Sequence, residues 1–175
     1  IIYIDISERQ KKLKLFKNIN KLCGLQTGYA QKVKAGNQIL IEPILEGRGF
    51  KWQEGATPIT GDNPSAKMVD NTNQLNSHWM ATGEEVYLNF LKKQLLAWAK
   101  ADAYQVLISD GEAWGGNFGY IDTLEYVRQT IVRMLFGYDL LRQANALTES
   151  EDKILYDWFE RVVAKTSIGE LDGSG

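Results

Sequence analysis

Residues 122–143 read DTLEYVRQTIVRMLFGYDLLRQ, and this stretch decides the fold class. Its apolar residues recur at spacings of three and four: Leu124, Val127, Ile131, Leu135 and Tyr138. This spacing places them on one face of an α-helix, since a helical turn takes about 3.6 residues. The stretch therefore predicts an amphipathic helix that begins near residues 122–123 and buries one face.

A helical hairpin is predicted upstream of this stretch. Asn63 stands before Pro64, and proline is favoured at the first position of a helix. The first helix is expected to run to about Met80 and to be broken by Thr82-Gly83. A second helix is then predicted over roughly Glu84–Gln105.

A second hairpin follows, because Thr148 and Glu151 stand at the spacing of a capping box and open a fourth helix. The order of helix, short break, helix and long loop repeats with a period of roughly 60 residues, and such pairs stack on their neighbours. We predict an all-α fold in which residues 62–175 form a partial α/α toroid of stacked helical hairpins. Two hairpins leave an apolar face open, so we expect further chain or another subunit to cover it.

Residues 1–61 are predicted to form an N-terminal helix and an extended arm. The helix is expected over residues 7–23, where apolar residues form one stripe and lysines cover the other sides. Residues 24–63 are rich in glycine and are expected to form an ordered arm or long loop, anchored by Phe50 and Trp52. Within the arm, the short apolar run Gln38–Leu45 predicts a strand.

Composition excludes several classes of function. The net charge is −2 and the sequence pI is about 5.5, whereas nucleic-acid binding usually requires a basic excess or stripe. A polyanionic ligand would therefore need a local basic groove. The single cysteine, Cys23, excludes an internal disulfide and a cysteine metal cluster. No apolar run approaches the roughly 20 residues of a membrane-spanning helix, so no membrane partner is expected.

Three segments carry a resemblance to a known family: residues 61–67, GDNPSAK; residues 95–103, LLAWAKADA; and Tyr156-Asp157-Trp158-Phe159 with Val162-Val163. In order and spacing they resemble the first half of the alginate lyases, which fold as an incomplete α/α toroid. The resemblance covers about residues 62–166. It rests mostly on scaffold residues, and therefore bears on the fold more than on the activity.

The resemblance implies a polysaccharide lyase that cleaves a uronic-acid polymer such as alginate by β-elimination, in the periplasm or after secretion. No metal or redox cofactor is implied. The family's catalytic Asn-Asn-His segment and its later Arg/Tyr pair lie beyond the helix equivalent to residues 149–166, so the main catalytic segment is expected beyond this chain. Two alternatives stay open: a non-catalytic helical carbohydrate-binding or protein-interaction scaffold, and an unrelated helical-repeat module.

Five residues are candidates for binding the substrate. The loop Gly111–Gly119 carries Trp114, which could stack on a sugar ring, and Asn117, which could bind a carboxylate. The helix after this loop carries Arg128 and Gln129, and Arg128 could hold a uronate carboxylate. Lys67 could belong to a lid. The alternatives are that Trp114 fills the core and that Arg128 forms a surface ion pair.

His78 is the one histidine of the chain, and it stands in Asn76-Ser77-His78-Trp79, which resembles the catalytic triplet superficially. It lies just before the second helix, where the family has the turn of its first hairpin. A lone histidine beside a tryptophan on an amphipathic helix is usually packed or hydrogen-bonded. We therefore predict a structural His78, with a catalytic role as the alternative.

Overall fold

The computed structural model describes residues 5–13, 28–48, 50–51, 64–108, 120–121 and 123–171. The elements in chain order are α1 (Ile6–Leu13), α2 (Gly28–Lys34), β1 (Glu46–Arg48), β2 (Phe50–Lys51), α3 (Pro64–Thr82), α4 (Glu85–Lys100), β3 (Val106–Ile108), β4 (Tyr120–Ile121), α5 (Thr123–Gln143) and α6 (Glu149–Leu171). The described strands have two or three residues each. Helices therefore build the core, and the all-α prediction is confirmed.

Two antiparallel hairpins, α3–α4 and α5–α6, stack in two layers. Helix α3 packs against α5, and α4 packs against α6. Lys92 on α4 bonds Glu151 on α6, 59 residues later. Lys165 on α6 likewise bonds the carbonyl of Gln105, just after α4, across 60 residues. The two helices of this layer therefore run parallel, and the spacing of these pairs matches the predicted period.

The core lies between these four helices. Its fully buried side chains come from every one of them: Met68 and Leu75 on α3, Leu91, Leu95 and Trp98 on α4, Met134 and Leu141 on α5, and Leu155 on α6. Removing one large apolar side chain from such a core costs about 2–5 kcal/mol. Each described helix is also too short or too polar to cross a lipid bilayer.

Local signals set several helix ends as predicted. The hairpin turn after α3 contains Gly83, whose φ of 69° is left-handed and suits glycine. The capping box at α6 is confirmed: the Thr148 N–H donates to Glu151 Oε2 at 2.9 Å, and the Glu151 N–H donates to Thr148 Oγ1 at 3.3 Å. Together these two bonds satisfy main-chain donors that have no partner within the helix.

The N-terminal region differs in part from the prediction. Helix α1 confirms the start of the helix expected over residues 7–23, while residues 14–27 lie outside the described residues. Helix α2 lies in the glycine-rich segment that was expected to be loop, which is a correction. It forms because Ala30 and Val33 are buried against the α3–α4 hairpin, and such packing stabilises helices that propensity alone would not.

The strand predicted over Gln38–Leu45 is wrong, because this run is irregular up to Leu45 and β1 begins only at Glu46. The side chain of Gln94 forms hydrogen bonds that a neighbouring strand would otherwise provide. Gln94 Oε1 accepts the Ile41 N–H at 2.7 Å, and its Nε2 donates to the Ile41 carbonyl at 2.9 Å. The main-chain groups of Ile41 are thereby paired without a β-ladder.

Candidate functional site

The loop expected to carry Trp114 and Asn117 has described ends on both sides. Residues 109–119 lie outside the described residues, so the roles of these two side chains remain predictions. Before the loop, β3 pairs in parallel with β1. After it, β4 pairs antiparallel with β2. The N-terminal arm therefore holds both ends of this candidate sugar-binding loop.

A tight turn over residues 101–105 leads from α4 toward the loop. Asp102 and Tyr104 adopt left-handed φ angles of 56° and 59°, which is uncommon outside glycine. Hydrogen bonds from two other segments of the chain stabilise this turn. The Tyr104 N–H donates to the Ile44 carbonyl at 2.7 Å, and Trp158 Nε1 donates to the Ala103 carbonyl at 2.9 Å. The second helix therefore ends at Lys100 and not at Gln105, which corrects the prediction.

Two cations of α6 also hold this turn. Arg161 forms an ion pair with Asp102, and Lys165 donates from Nζ to the Gln105 carbonyl. Burial lowers the pKa of Lys165, and the nearby charge of Arg161 lowers it further. The sequence analysis did not predict these contacts of Arg161 and Lys165. Their signal was two like charges at i and i+4 on one helix, an arrangement that is slightly unfavourable without partners.

Arg128 is half-buried on α5, and its Nη2 donates to the Thr166 carbonyl of α6 at 2.7 Å. This bond places it between two helices at the end of the stack where α5 begins. Gln129 follows it on α5, but its side chain lies outside the described part. The geometry therefore assigns Arg128 at least a structural contact, while its binding of a carboxylate remains a prediction.

Lys67 is exposed in the first turns of α3. Helices α4 and α6 run parallel, and each is antiparallel to its hairpin partner, so α3 and α5 also run parallel. Lys67, Arg128 and both ends of the 109–119 segment are thus at the same end of the stack. Of the five candidates, Lys67 and Arg128 lie at this end and Gln129 is next to Arg128, while Trp114 and Asn117 lie outside the described residues.

His78 is buried, with 4% of its surface exposed. Its Nδ1 lies 2.8 Å from the Gln74 carbonyl, and since a carbonyl only accepts, Nδ1 carries the hydrogen and donates. The imidazole packs beside Tyr87, with ring centroids 5.3 Å apart. These contacts support the structural interpretation of His78, because a group that removes a substrate proton must be within reach of the substrate.

A buried polar pair lies where α3 crosses α5. Thr72 Oγ1 and both polar atoms of the Asn76 side chain are buried and have no hydrogen-bond partner among the described residues. Gly137 of α5 is opposite: a Cβ there would be 3.2 Å from Thr72 Cγ2 and 3.4 Å from Asn76 Oδ1. The glycine therefore permits a close helix crossing. Apolar periodicity gave no signal for this pair.

Comparison with known proteins identifies no relative of this chain. No family model matches the chain, and no curated protein or solved structure shows significant similarity to it.

Proposed function

We propose that this chain is the N-terminal part of a polysaccharide lyase that cleaves a uronic-acid polymer such as alginate by β-elimination. The observation that carries the proposal is the two-layer stack, in which successive hairpins lie parallel about one repeat apart. A partial α/α toroid would have this arrangement, with α3 and α5 in one layer and α4 and α6 in the other. The resemblance to alginate lyases supplies the chemistry.

The proposed chemistry has three requirements. The proton at C5 of a uronate is weakly acidic, so a polar or cationic group must neutralise the adjacent carboxylate. A base then removes this proton, and an acid protonates the departing glycosidic oxygen. In this proposal Arg128 and Asn117 hold carboxylates and Trp114 stacks on a ring, with Gln129 and Lys67 near them. The base and acid belong to segments beyond this chain.

The binding part of the proposal is tested with Trp114→Ala and Arg128→Ala, titrated with an oligouronate and with a neutral oligosaccharide of similar length. A charge-assisted bond contributes about 1.5–3 kcal/mol. Losing it should weaken oligouronate binding by roughly ten- to a hundredfold. Lys93→Ala is the control, because Lys93 is an exposed cation on α4. Folded variants that bind as the parent does would reject this site.

The alternative function is a non-catalytic helical carbohydrate-binding or protein-interaction scaffold in the same compartment. It is favoured by the bond from Arg128 to the Thr166 carbonyl, which gives the arginine a structural use. An assay for the unsaturated uronate product, followed by its ultraviolet absorbance, separates the two. Product formed by the longest available polypeptide that contains this chain supports the lyase. Oligouronate binding without product supports the scaffold.

A further inference from the structure

Two cations of α6, Arg161 and Lys165, lie at the turn that leads from α4 toward the candidate loop. They are four residues apart, and side chains at this spacing are neighbours on a helix. We call them the cation pair. Its contact with a carboxylate is the ion pair of Arg161 with Asp102, while Lys165 donates to the neutral carbonyl of Gln105. The pair therefore carries one positive charge more than these contacts neutralise.

Burial makes this excess of positive charge costly. It lowers the pKa of Arg161, and for Lys165 burial and then the nearby charge of Arg161 lower the pKa. A lowered pKa of a cation means that its surroundings favour the neutral form. An additional anion at this position would reduce that penalty, because an opposite charge within about 4–6 Å favours the charged form.

The cation pair also has hydrogen-bond donors to spare. A lysine ammonium carries three N–H donors, and the Gln105 carbonyl accepts one of those of Lys165. The Nη1 atom of Arg161 is buried and has no hydrogen-bond partner among the described residues. Bonds from cations to carboxylates are among the strongest in proteins, and a guanidinium can bind both oxygens of one carboxylate. Charge and donors therefore indicate the same class of ligand, a carboxylate.

Asp102 shows how a carboxylate is held at this position. Its side chain is 43% exposed, so the carboxylate meets both Arg161 and solvent. Ion pairs between exposed groups contribute little net free energy. The carboxylate of a ligand can therefore replace that of Asp102 beside Arg161 at small cost.

The cation pair lies beside the candidate site. Gln105, whose carbonyl Lys165 binds, comes directly before β3 and the 109–119 segment. Arg128, which we propose to hold a carboxylate, bonds the carbonyl of Thr166, the residue after Lys165. A polymer with a carboxylate on every sugar would reach both positions with different sugars. Linked contacts of this kind raise the affinity well above that of a single carboxylate.

A structural role alone is the alternative. Cations are favoured at a helix C-terminus, and Lys165 lies at the C-terminal end of α4. This role accounts for one cation, but like charges four residues apart on a helix destabilise each other. It also gives Asp102 no influence on the binding of a ligand. The two interpretations therefore predict different results when the charge of Asp102 is removed.

We propose that Arg161 and Lys165 form a carboxylate-binding subsite for an anionic polysaccharide, with Asp102 as an internal carboxylate that competes with the ligand. The inference rests on the proposed function for the uronate class of ligand. It is tested by calorimetric titration at low salt with an oligouronate and with its methyl ester, which keeps the sugars and lacks the charge. Lys165→Met should weaken oligouronate binding by about tenfold and leave binding of the ester unchanged. Lys93→Met, at an exposed lysine on α4, should bind the oligouronate as the parent does.

Asp102→Asn tests the competition. Asparagine tolerates the left-handed conformation of this residue and removes only its charge. Oligouronate binding should therefore strengthen by about threefold or more, because Arg161 is no longer neutralised within the chain. Circular dichroism verifies that each variant is folded. The proposal is overturned if folded Lys165→Met binds the oligouronate as the parent does, or if Asp102→Asn does not bind it more tightly.

An oligoglutamate separates this inference from the proposed function, because it has carboxylates and no sugar rings. If the parent binds oligoglutamate through Lys165 and does not bind the oligouronate, the carboxylate subsite is supported and the uronate function is wrong. If the parent binds the oligouronate and Lys165→Met binds it equally well, uronate binding stands and the subsite is rejected. A parent that binds neither probe overturns both.

Discussion

Gln94 is expected to fix the N-terminal arm to the helical stack. Its side chain is 1% exposed, and it bonds both main-chain groups of Ile41, at 2.7 and 2.9 Å. In Gln94→Leu the volume is nearly kept, but the Ile41 N–H loses its acceptor. The Ile41 carbonyl still accepts Trp98 Nε1 at 2.9 Å. One orphaned, partly buried donor and one lost bond should together lower the free energy of unfolding by about 2–4 kcal/mol.

The assay is urea unfolding of parent and variant, followed by far-ultraviolet circular dichroism, with hydrogen exchange at the Ile41 amide as a local reading. Exchange at this amide should accelerate in Gln94→Leu. The control is Gln143→Leu, because Gln143 is exposed and its side chain bonds Asp139 on its own helix. It should change stability by less than about 0.5 kcal/mol. Equal stability of Gln94→Leu and the parent, with unchanged exchange, would refute this reasoning.

Two further predictions concern the helical stack. Gly137→Ala should lower the free energy of unfolding by about 1–2 kcal/mol, because overpacking against Thr72 Cγ2, 3.2 Å from the new Cβ, outweighs a helix-propensity gain of about 1 kcal/mol. Denaturant unfolding checks this against Gly28→Ala, whose Cβ meets nothing within 4 Å; a Gly137→Ala protein as stable as its parent would contradict the close crossing. The N–H of Thr148 holds the pKa of Glu151 below its ordinary value, so this carboxylate stabilises the fold at neutral pH and stops doing so as pH falls through the lowered pKa. The stability difference between the parent and Glu151→Gln should therefore shrink in acid, and a difference independent of pH would count against the capping role.

The sequence by itself determined the four long helices, because their signals are local. Helix α3 begins at Pro64 and ends just before Gly83, and α6 begins at the capping box formed by Thr148 and Glu151. Each of these acts within one turn of its own position, where steric freedom or a side-chain bond decides the main-chain conformation. Apolar periodicity then identified the faces that pack, and the all-α core follows from them.

Tertiary contacts determined the main-chain conformation at the places where the sequence pattern predicted it wrongly. The periodicity of α4 permits a helix to Gln105, but Trp158 and Ile44, distant in sequence, bind a left-handed turn at Asp102 and Tyr104 and stop it earlier. Local sequence contains neither partner, so it could not locate this end. The same holds for Gln38–Leu45, whose apolar composition suits a strand but whose Ile41 main-chain groups are bonded by the Gln94 side chain of α4.

The candidate site was also predicted in part from the sequence and in part seen only in the tertiary structure. Sequence position alone located Trp114, Asn117 and Arg128 around one loop and the helix after it. Only the stacked helices showed that Arg128 reaches the Thr166 carbonyl and that Arg161 and Lys165 clamp the turn before the loop. A charged side chain's partner depends on which helix lies beside it. That choice is made by the packing of whole apolar faces, which no short motif contains.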